Sequence, residues 1–377
     1  MISRFVSFVA RKASPSSSPS SSLTPSAQHP APLARMERFE GRALMHAAVT
    51  SVFADNRGEV QITFNEALDP KTVNTRSVFV HLPGADQAFG TADDQKITGR
   101  VKLTAGNRRI WYRPAEKVPF AAGSSYSIKV SGKLVEAADG DRIDGEFNGA
   151  GATSGNGTPG GDYLVLSKRN KTTQIARFST LAGNMDVRLF TNQTPKNVAN
   201  FLDYVNAGDY DNIFIQRNVP GFIWQTGGYN ITPANAIGGV TARTPVENEP
   251  HITHNTRGTI ALARPDLPNV PPSGDRGSNQ FFFNVSDNSS GKPNDLDNQN
   301  GGFTAFGEVT SASGLAVMDA LAAYPTVDAS GGDPNSPFSD LAVQNSSVTV
   351  QQADQNPQGS LVTIRRIAVR NTIVAWV

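Results

Sequence analysis

The sequence predicts a mainly β protein of two folded domains, with helices confined to the second. Three observations predict it. Residues 49–147 hold short runs that alternate apolar with polar, separated by Gly, Asp and Pro, the signature of half-buried strands between turns. Residues 148–161 read NGAGATSGNGTPGG, a composition suited to a linker. Beyond it, strand-like runs resume around one clearly amphipathic helix. At 377 residues the chain is long enough for each domain to have its own core.

Composition removes several classes of chemistry. Lys+Arg is 34 against 33 for Asp+Glu, so no general attraction to nucleic acid or an anionic membrane is expected. Cysteine is absent, which excludes disulfides, thiolate metal sites and a cysteine nucleophile. His251 and His254 stand three apart without a third ligand in a recognisable pattern, so they read as loop residues and no metal is expected. No apolar run approaches the length of a membrane span.

Residues 1–47 read as a disordered tail. A short apolar core, residues 5–10, lies between Arg4 and Arg11, and residues 13–33 are rich in Ser, Pro and Ala. RMERFEGRALMHA, residues 35–47, resembles a short motif found near the amino terminus of surface or exported proteins of planctomycete-type bacteria; an ordinary amphipathic turn is the alternative. In residues 48–147 the strand candidates are 49–54, 59–64, 77–82, 97–103, 109–113 and 125–130, a pattern that suggests a sandwich with Trp111 in its core. The runs ITFNEALDP, RRIWYRP and AAGSSYSIKV resemble bacterial Ig-like domains, which implies a spacer or adhesion module. Asp86, Asp93 and Asp94 could offer oxygens to Ca²⁺, but their spacing is not that of an EF-hand loop; a solvated acidic hairpin tip is the preferred reading. Asp139, Asp141 and Asp144 are read in the same way.

The second domain, residues 162–377, opens with strands at 173–180 and 184–190. Thr194 is a good N-cap residue, Pro195 suits the first helical position, and Val198, Phe201, Leu202 and Val205 form one apolar stripe. Gly208 marks the stop. A second helix is expected at 314–323 with Leu315, Met318 and Leu321 inward, and LVTIRRIAV near the end reads as a closing strand. The stretch YDNIFIQRNVPGFIWQTGG, residues 210–228, places Arg217 by alternation on one face with Ile213 and Ile215. A cation on a half-buried face needs a partner or a task, because removing a charge from water is costly; a snorkelling edge arginine is the plain alternative.

Two further stretches, RGTIALARPDLPNVPPSGDRGSNQFFFNV (257–285) and GGFTAFGEV (301–309), follow it. Together the three resemble the cyclophilin family of peptidyl-prolyl isomerases, its exported bacterial branch most closely, over residues 162–369. The resemblance implies a closed antiparallel eight-stranded β-barrel with a helix over each end. It implies that Arg217 is the catalytic arginine, that Phe222 floors the proline slot, and that Gln225 bonds the substrate backbone and steadies the arginine. Gln280 would complete the catalytic set; Ala263 would lie on the peptide-binding strand, with Phe282 and Leu296 in the slot. Phe303 occupies a substrate-binding position often held by histidine, Arg264 stands where many members have asparagine, and Ile215–Gln216 replace a frequent Phe-His pair. Ile223 replaces a common methionine, and no tryptophan stands near Asp295, so weak cyclosporin binding is expected.

The resemblances imply an isomerase that acts on X–Pro bonds of exported or surface proteins, assists their folding, works as a monomer outside the cytoplasm and uses no cofactor or metal. A proline-peptide binding module without turnover, or a structural surface protein with a remnant barrel, are the rival readings; retention of Arg217 weighs against both.

Overall fold

The computed structural model describes residues 46–116, 123–170, 172–249, 253–264, 276–333 and 336–375. The tail and export-type motif up to residue 45, and His251 of the histidine pair, lie outside them.

The first part is a two-sheet sandwich. Its strands are β1 (Val49–Ala54), β2 (Val60–Phe64), β3 (Val78–Leu82), β4 (Gln95–Lys96), β5 (Gly99–Thr104), β6 (Arg109–Pro114), β7 (Ser125–Val130) and β8 (Tyr163–Lys168). One sheet runs β1-β2-β6-β5, and the other contains β8-β7-β3-β4. Inward residues of both, among them Ile62, Ile110, Tyr112, Val80, Ile128 and Val165, form one core. Because Ile110 and Tyr112 point inward, alternation turns Trp111 the other way. Trp111 is half-buried and its indole N–H donates to Glu59 Oε1 at 2.9 Å, which corrects its reading as a core residue.

The expected linker is part of this sandwich. Ser154 is buried; its hydroxyl accepts from Val49 N (2.7 Å) and donates to Asp144 O (2.8 Å). The Asp144 carboxylate accepts the N–H groups of Asn156 and Gly157. Tyr163–Lys168, expected in the second domain, pairs with β7. Composition signals glycine's freedom, but these bonds remove it. In the acidic loop, Asp93 accepts from the Thr91 hydroxyl and Asp94 from Gly90 N. The Thr91 bond holds the Asp93 carboxyl below its ordinary range.

The second part contains β9 (Ile175–Thr180), β10 (Gly183–Leu189), α1 (Pro195–Ala207), β11 (Ile213–Phe214), β12 (Arg217–Val219), β13 (Ile223–Thr226), β14 (Tyr229–Ile231) and β15 (Ile237–Gly239). Then follow β16 (Val246–Glu247), β17 (Thr259–Leu262), β18 (Arg276–Gly277), β19 (Phe281–Asn284), β20 (Ala305–Val309), α2 (Ala312–Ala322), β21 (Thr326–Val327) and β22 (Leu341–Ala342). The short helices α3 (Val350–Gln355) and α4 (Pro357–Ser360) precede β23 (Thr363–Arg370) and β24 (Thr372–Ala375). The main sheet has eleven strands in the order β12-β13-β19-β17-β20-β10-β9-β23-β11-β14-β15. It curls around a core that includes Phe178, Phe201, Trp224, Phe281, Phe283 and Phe306.

This curled, open sheet replaces the expected closed eight-stranded barrel. The ladder stays open because residues 213–219 change partners midway. Ile215 N donates to Val362 O, whereas Gln216 N donates to Gln225 O. β11 therefore pairs with β23 and β14, and β12 with β13. The same break resets alternation: Ile213 and Ile215 face the core, while Arg217 faces the opposite side, not the shared face that unbroken alternation gives.

Helix α1 buries Val198, Phe201, Leu202 and Val205 and ends at Gly208, whose φ of +76° suits glycine. Thr194 occupies the N-cap but makes no side-chain cap bond. Glu249 supplies it instead, accepting from the N–H groups of Lys196 (3.0 Å) and Asn197 (2.8 Å). In α2 the Ser311 hydroxyl accepts from Gly314 N at 3.0 Å, and Met318 and Leu321 are buried.

A polar seam joins the two parts. β24 returns from β23 to pair with β8, so the last strand completes the first sheet pair. Asn371, between them, donates to Asp55 O and Ser167 Oγ. Arg57 forms a bidentate pair with Asp211, both bonds 2.9 Å. The Arg366 guanidinium sits 2.5 Å from Asp55 and 2.6 Å from Glu59. Phe53 of β1 lies under Arg177, 4.6 Å from ring centre to guanidinium carbon.

Arg177 in turn binds Asp186 at 2.7 Å, and Arg370 reaches the same carboxylate at 2.6 Å. Burial alone would raise the Asp186 carboxyl; the two guanidiniums outweigh it and hold it below its ordinary range. A depressed folded-state pKa contributes stability that is present above the unfolded value and lost as pH falls through the folded one. Asp186→Asn is therefore expected to flatten the acid limb of a stability–pH curve below about pH 4, while lowering stability at neutral pH. Urea midpoints across that range, for both chains, check it.

Candidate active site

Three strands bring the candidate residues into one row. Arg217 of β12 stands opposite Gln225 of β13, and Gln225 opposite Phe282 of β19. Phe282 is in turn opposite Ala261 of β17. Side chains alternate along a strand, so this row faces away from the core that holds Trp224, Phe281 and Phe283. Val219 and Phe222 bracket the Pro220–Gly221 turn, closed by Phe222 N to Val219 O at 3.1 Å. Gly221 has φ +71°, the value a type II turn requires after proline.

The row lines a cavity of about 280 Å³. Arg217, Phe222, Gln225, Ala263, Phe282, Leu296 and Phe303 all form its wall, together with Ile223, Arg264, Gln299 and Asn300. Phe282 and Phe303 meet edge to face with ring centres 5.6 Å apart. Leu296 and Phe303 arrive on a loop pinned at its base. Leu296 N donates to Asn288 O, Phe303 N to Leu296 O, and buried Asn288 donates to Phe222 O. Asp297, also buried, accepts from Asn255 N and Nδ2 and from Ser290 N, and lies 2.8 Å from His254 Nδ1. Burial would raise its carboxyl, but these bonds hold it below its ordinary range.

Gln280 is placed differently from the other candidates. It does not line the cavity but sits behind it: its Oε1 accepts from Gln225 Nε2 (2.7 Å) and Gln216 Nε2 (2.8 Å). Its geometry is that of a positioning residue. Gln216 is fully buried, and its own Oε1 accepts from Gly228 N at 3.0 Å. Gln216 was noted in the sequence only as a departure, because its part depends on the strand break beside it. Asp340 was missed altogether. Its Oδ2 is 3.8 Å from Arg217 Nε, and both side chains are about 40% exposed (38% and 41%). Nothing local in the sequence joins two residues so far apart.

A Cβ on Gly228 would stand 2.8 Å from Gln216 Oε1 and 3.1 Å from Gln280 Cδ. Gly228→Ala should therefore displace the amide chain that aims Gln225 and lower kcat/KM by roughly tenfold, since small misplacements in a reacting geometry are expensive. Peptide isomerisation kinetics on a variant with wild-type circular dichroism would check it.

A larger, open groove of about 610 Å³ lies between α1 and residues 243–247. Its charges answer one another, as in Lys196–Glu247 at 3.0 Å, and no slot of rings faces it. The smaller cavity is the candidate site. Among the described residues no group of His, Asp and Glu is arranged to hold a metal ion, and no helix is long and apolar enough to cross a membrane.

An arginine, an oriented glutamine and a slot of rings could together hold a prolyl peptide. The family described as cyclophilin type peptidyl-prolyl cis-trans isomerase/CLD matches residues 175–347. The peptidyl-prolyl cis-trans isomerase of Acinetobacter baylyi is 32% identical over 164 residues, 43% of this chain and 79% of that protein. Peptidyl-prolyl cis-trans isomerase B of Escherichia coli is 32% identical over 179 residues, 47% of this chain and 100% of that protein. A crystal structure of a cyclophilin-type isomerase from Cryptosporidium parvum aligns with 52% of this chain and 97% of its own, at 21% identity and a TM-score of 0.34. The chain belongs to the cyclophilin-type peptidyl-prolyl cis-trans isomerases. Its activity is cis–trans isomerisation of peptidyl-prolyl bonds.

Proposed function

We propose that this isomerase assists the folding of exported or surface proteins, with Arg217 as the group that acts on the reacting amide. Rotation about an X–Pro bond meets a barrier of about 18–20 kcal/mol because the amide is conjugated. No nucleophile, metal or cofactor is needed to lower it. A donor aimed at the prolyl nitrogen favours the pyramidal, deconjugated state over the planar one, and so binds the transition state in preference. Arg217 suits that part, being always charged and planar, with Asp340 behind it. Phe222, Phe282 and Leu296 would hold the pyrrolidine ring, Ala263 and Gln225 the peptide backbone, and Gln280 the Gln225 amide. Phe303 would close the far end of the slot. The observation that carries this reading is the row Arg217–Gln225–Phe282 in register across three strands. Isomerisation of a test peptide by the full chain, with and without Arg217, tests it.

The export reading is supported by the motif at 35–47 and a sandwich whose sequence resembles bacterial Ig-like modules. In that reading the chain works as a monomer outside the cytoplasm on proline-containing polypeptides, and the Ig-like sandwich places the isomerase at a surface. Cell fractionation should find the protein in extracytoplasmic fractions, shortened at its amino terminus; full-length chain in the cytosol alone would contradict it.

A further inference from the structure

The amide chain behind the cavity has a direction, and a backbone group sets it. Gly228 N–H can only donate, and it donates to Gln216 Oε1 at 3.0 Å. Gln216 therefore turns Nε2 the other way, where it donates to Gln280 Oε1 at 2.8 Å. With Gln280 presenting its oxygen, Gln225 has to meet it with Nε2, and does so at 2.7 Å. The end of the Gln225 amide left for the cavity it lines is Oε1, an acceptor. Arg217 stands directly opposite on the next strand, and a guanidinium carries donors only. The start of the chain is fixed: Gln216 is fully buried, and its backbone N–H donates to Gln225 O at 3.0 Å.

We propose that Gln216 is a positioning residue for isomerisation, turning the Gln225 amide so that an oxygen, and not an NH2 group, faces Arg217. The two ends of a glutamine amide are nearly alike in size, so packing alone does not choose between them. Gln280 does not choose either, since its amide can offer Gln225 an oxygen or an NH2 group. Gln216 breaks the tie, because one of its ends is claimed by a donor that cannot turn. With the chain reversed, two donors would meet beside the reacting amide, and Arg217 would lose its aim. The proposal rests on the isomerase reading of this cavity and adds to it the residue that sets the polarity of the site.

The test compares full chains carrying Gln216→Glu and Gln216→Met with the wild type, by kcat/KM on the peptide Ala-Ala-Pro-Phe from about pH 5 to about pH 8. A glutamate keeps the acceptor for Gly228. Ionised, it has no donor for Gln280; protonated, it regains one. Burial raises such a carboxyl, which brings the change into that range. The side-chain partners of position 216 are uncharged, and the charged groups of the site, Arg217, Asp340 and Arg264, are common to all three chains. Activity is therefore read as a ratio to wild type at each pH. For Gln216→Glu the ratio should be highest at the acid end and fall roughly tenfold toward the alkaline end. Gln216→Met keeps the length without donor or acceptor, and its ratio should be roughly tenfold down at every pH. A flat ratio for the glutamate chain, or a methionine chain as active as wild type, overturns the proposal. Where a variant does not fold, the wild-type chain decides. Two NH2 groups that donate to one oxygen lie close together, so NMR should show a nuclear Overhauser contact between the side-chain NH2 groups of Gln216 and Gln225. Contact of the Gln225 NH2 group with bound peptide or with Arg217 in its place overturns the proposal. If the wild-type chain turns over no peptide, the isomerase reading itself fails, and the same NMR contact then decides the polarity of the amides.

Discussion

Arg217→Lys is expected to lower kcat for a prolyl peptide by roughly a hundredfold or more, because one oriented transition-state donor is worth on the order of 3–4 kcal/mol. Lysine keeps the charge and most of the stem but loses the planar fork. If a directed bond to the prolyl nitrogen matters, charge alone cannot replace it. Peptide affinity should change much less, since the rings of Phe222 and Phe282 and the Leu296 side chain remain in the wall. Phe282→Ala gives the contrasting pattern. It removes slot wall and so weakens substrate and transition state together, which raises KM more than it lowers kcat. Phe282 is 2% exposed and belongs to a packed cluster, so its truncation also costs several kcal/mol of stability, about 3–5, and folding must be verified first.

The second large effect is expected at the seam. Arg366 is 16% exposed and stands between Asp55, fully buried, and Glu59. Removing the arginine leaves two carboxylates facing each other out of water, and loss of one partner from a buried pair costs about 3–5 kcal/mol. Arg366→Met should therefore lower the urea midpoint sharply. It should also split the unfolding curve, because Asp55 and its neighbours tie the β1–β2 turn to β23. Intrinsic fluorescence and circular dichroism followed together would show it: coincident wild-type curves and separated curves in the variant. Coincident curves in both, with an unchanged midpoint, would mean that the charges are solvated and the seam is held by β24 and the backbone.

Local patterns were legible in the sequence, and partnerships between distant segments were not. The helix at Pro195–Ala207 was readable because its apolar stripe, proline and terminal glycine lie within fourteen residues. Most wall residues were readable because they sit in three short motifs whose resemblance is specific; Leu296, Gln299 and Asn300 lie between the second and the third. The open sheet was not, since it depends on where residues 213–219 exchange one partner strand for another. Tyr163–Lys168 has the alternation of any strand, and alternation does not say which sheet it joins. The glycines of 148–161 signalled freedom, but Ser154 and Asp144 restrain them through bonds that composition does not contain. Thr194 was the best local cap, yet Glu249, far along the chain, takes the orphan N–H groups. Gln216 and Asp340 belong to the same class: each reaches the site through its fold neighbours.

The central claim is that this cavity turns a prolyl amide over and does not merely hold it. NMR exchange spectroscopy on a peptide with resolved cis and trans signals, in the presence of a small amount of the full chain, tests that most directly. Spontaneous interconversion takes tens of seconds or longer, so exchange cross-peaks within about a second report catalysis alone. The predicted result is strong cross-peaks with the wild-type chain and their near disappearance with folded Arg217→Lys chain that still binds the peptide. Line broadening from binding without cross-peaks in the wild type would contradict the claim, and equal cross-peaks from both chains would contradict the role of Arg217.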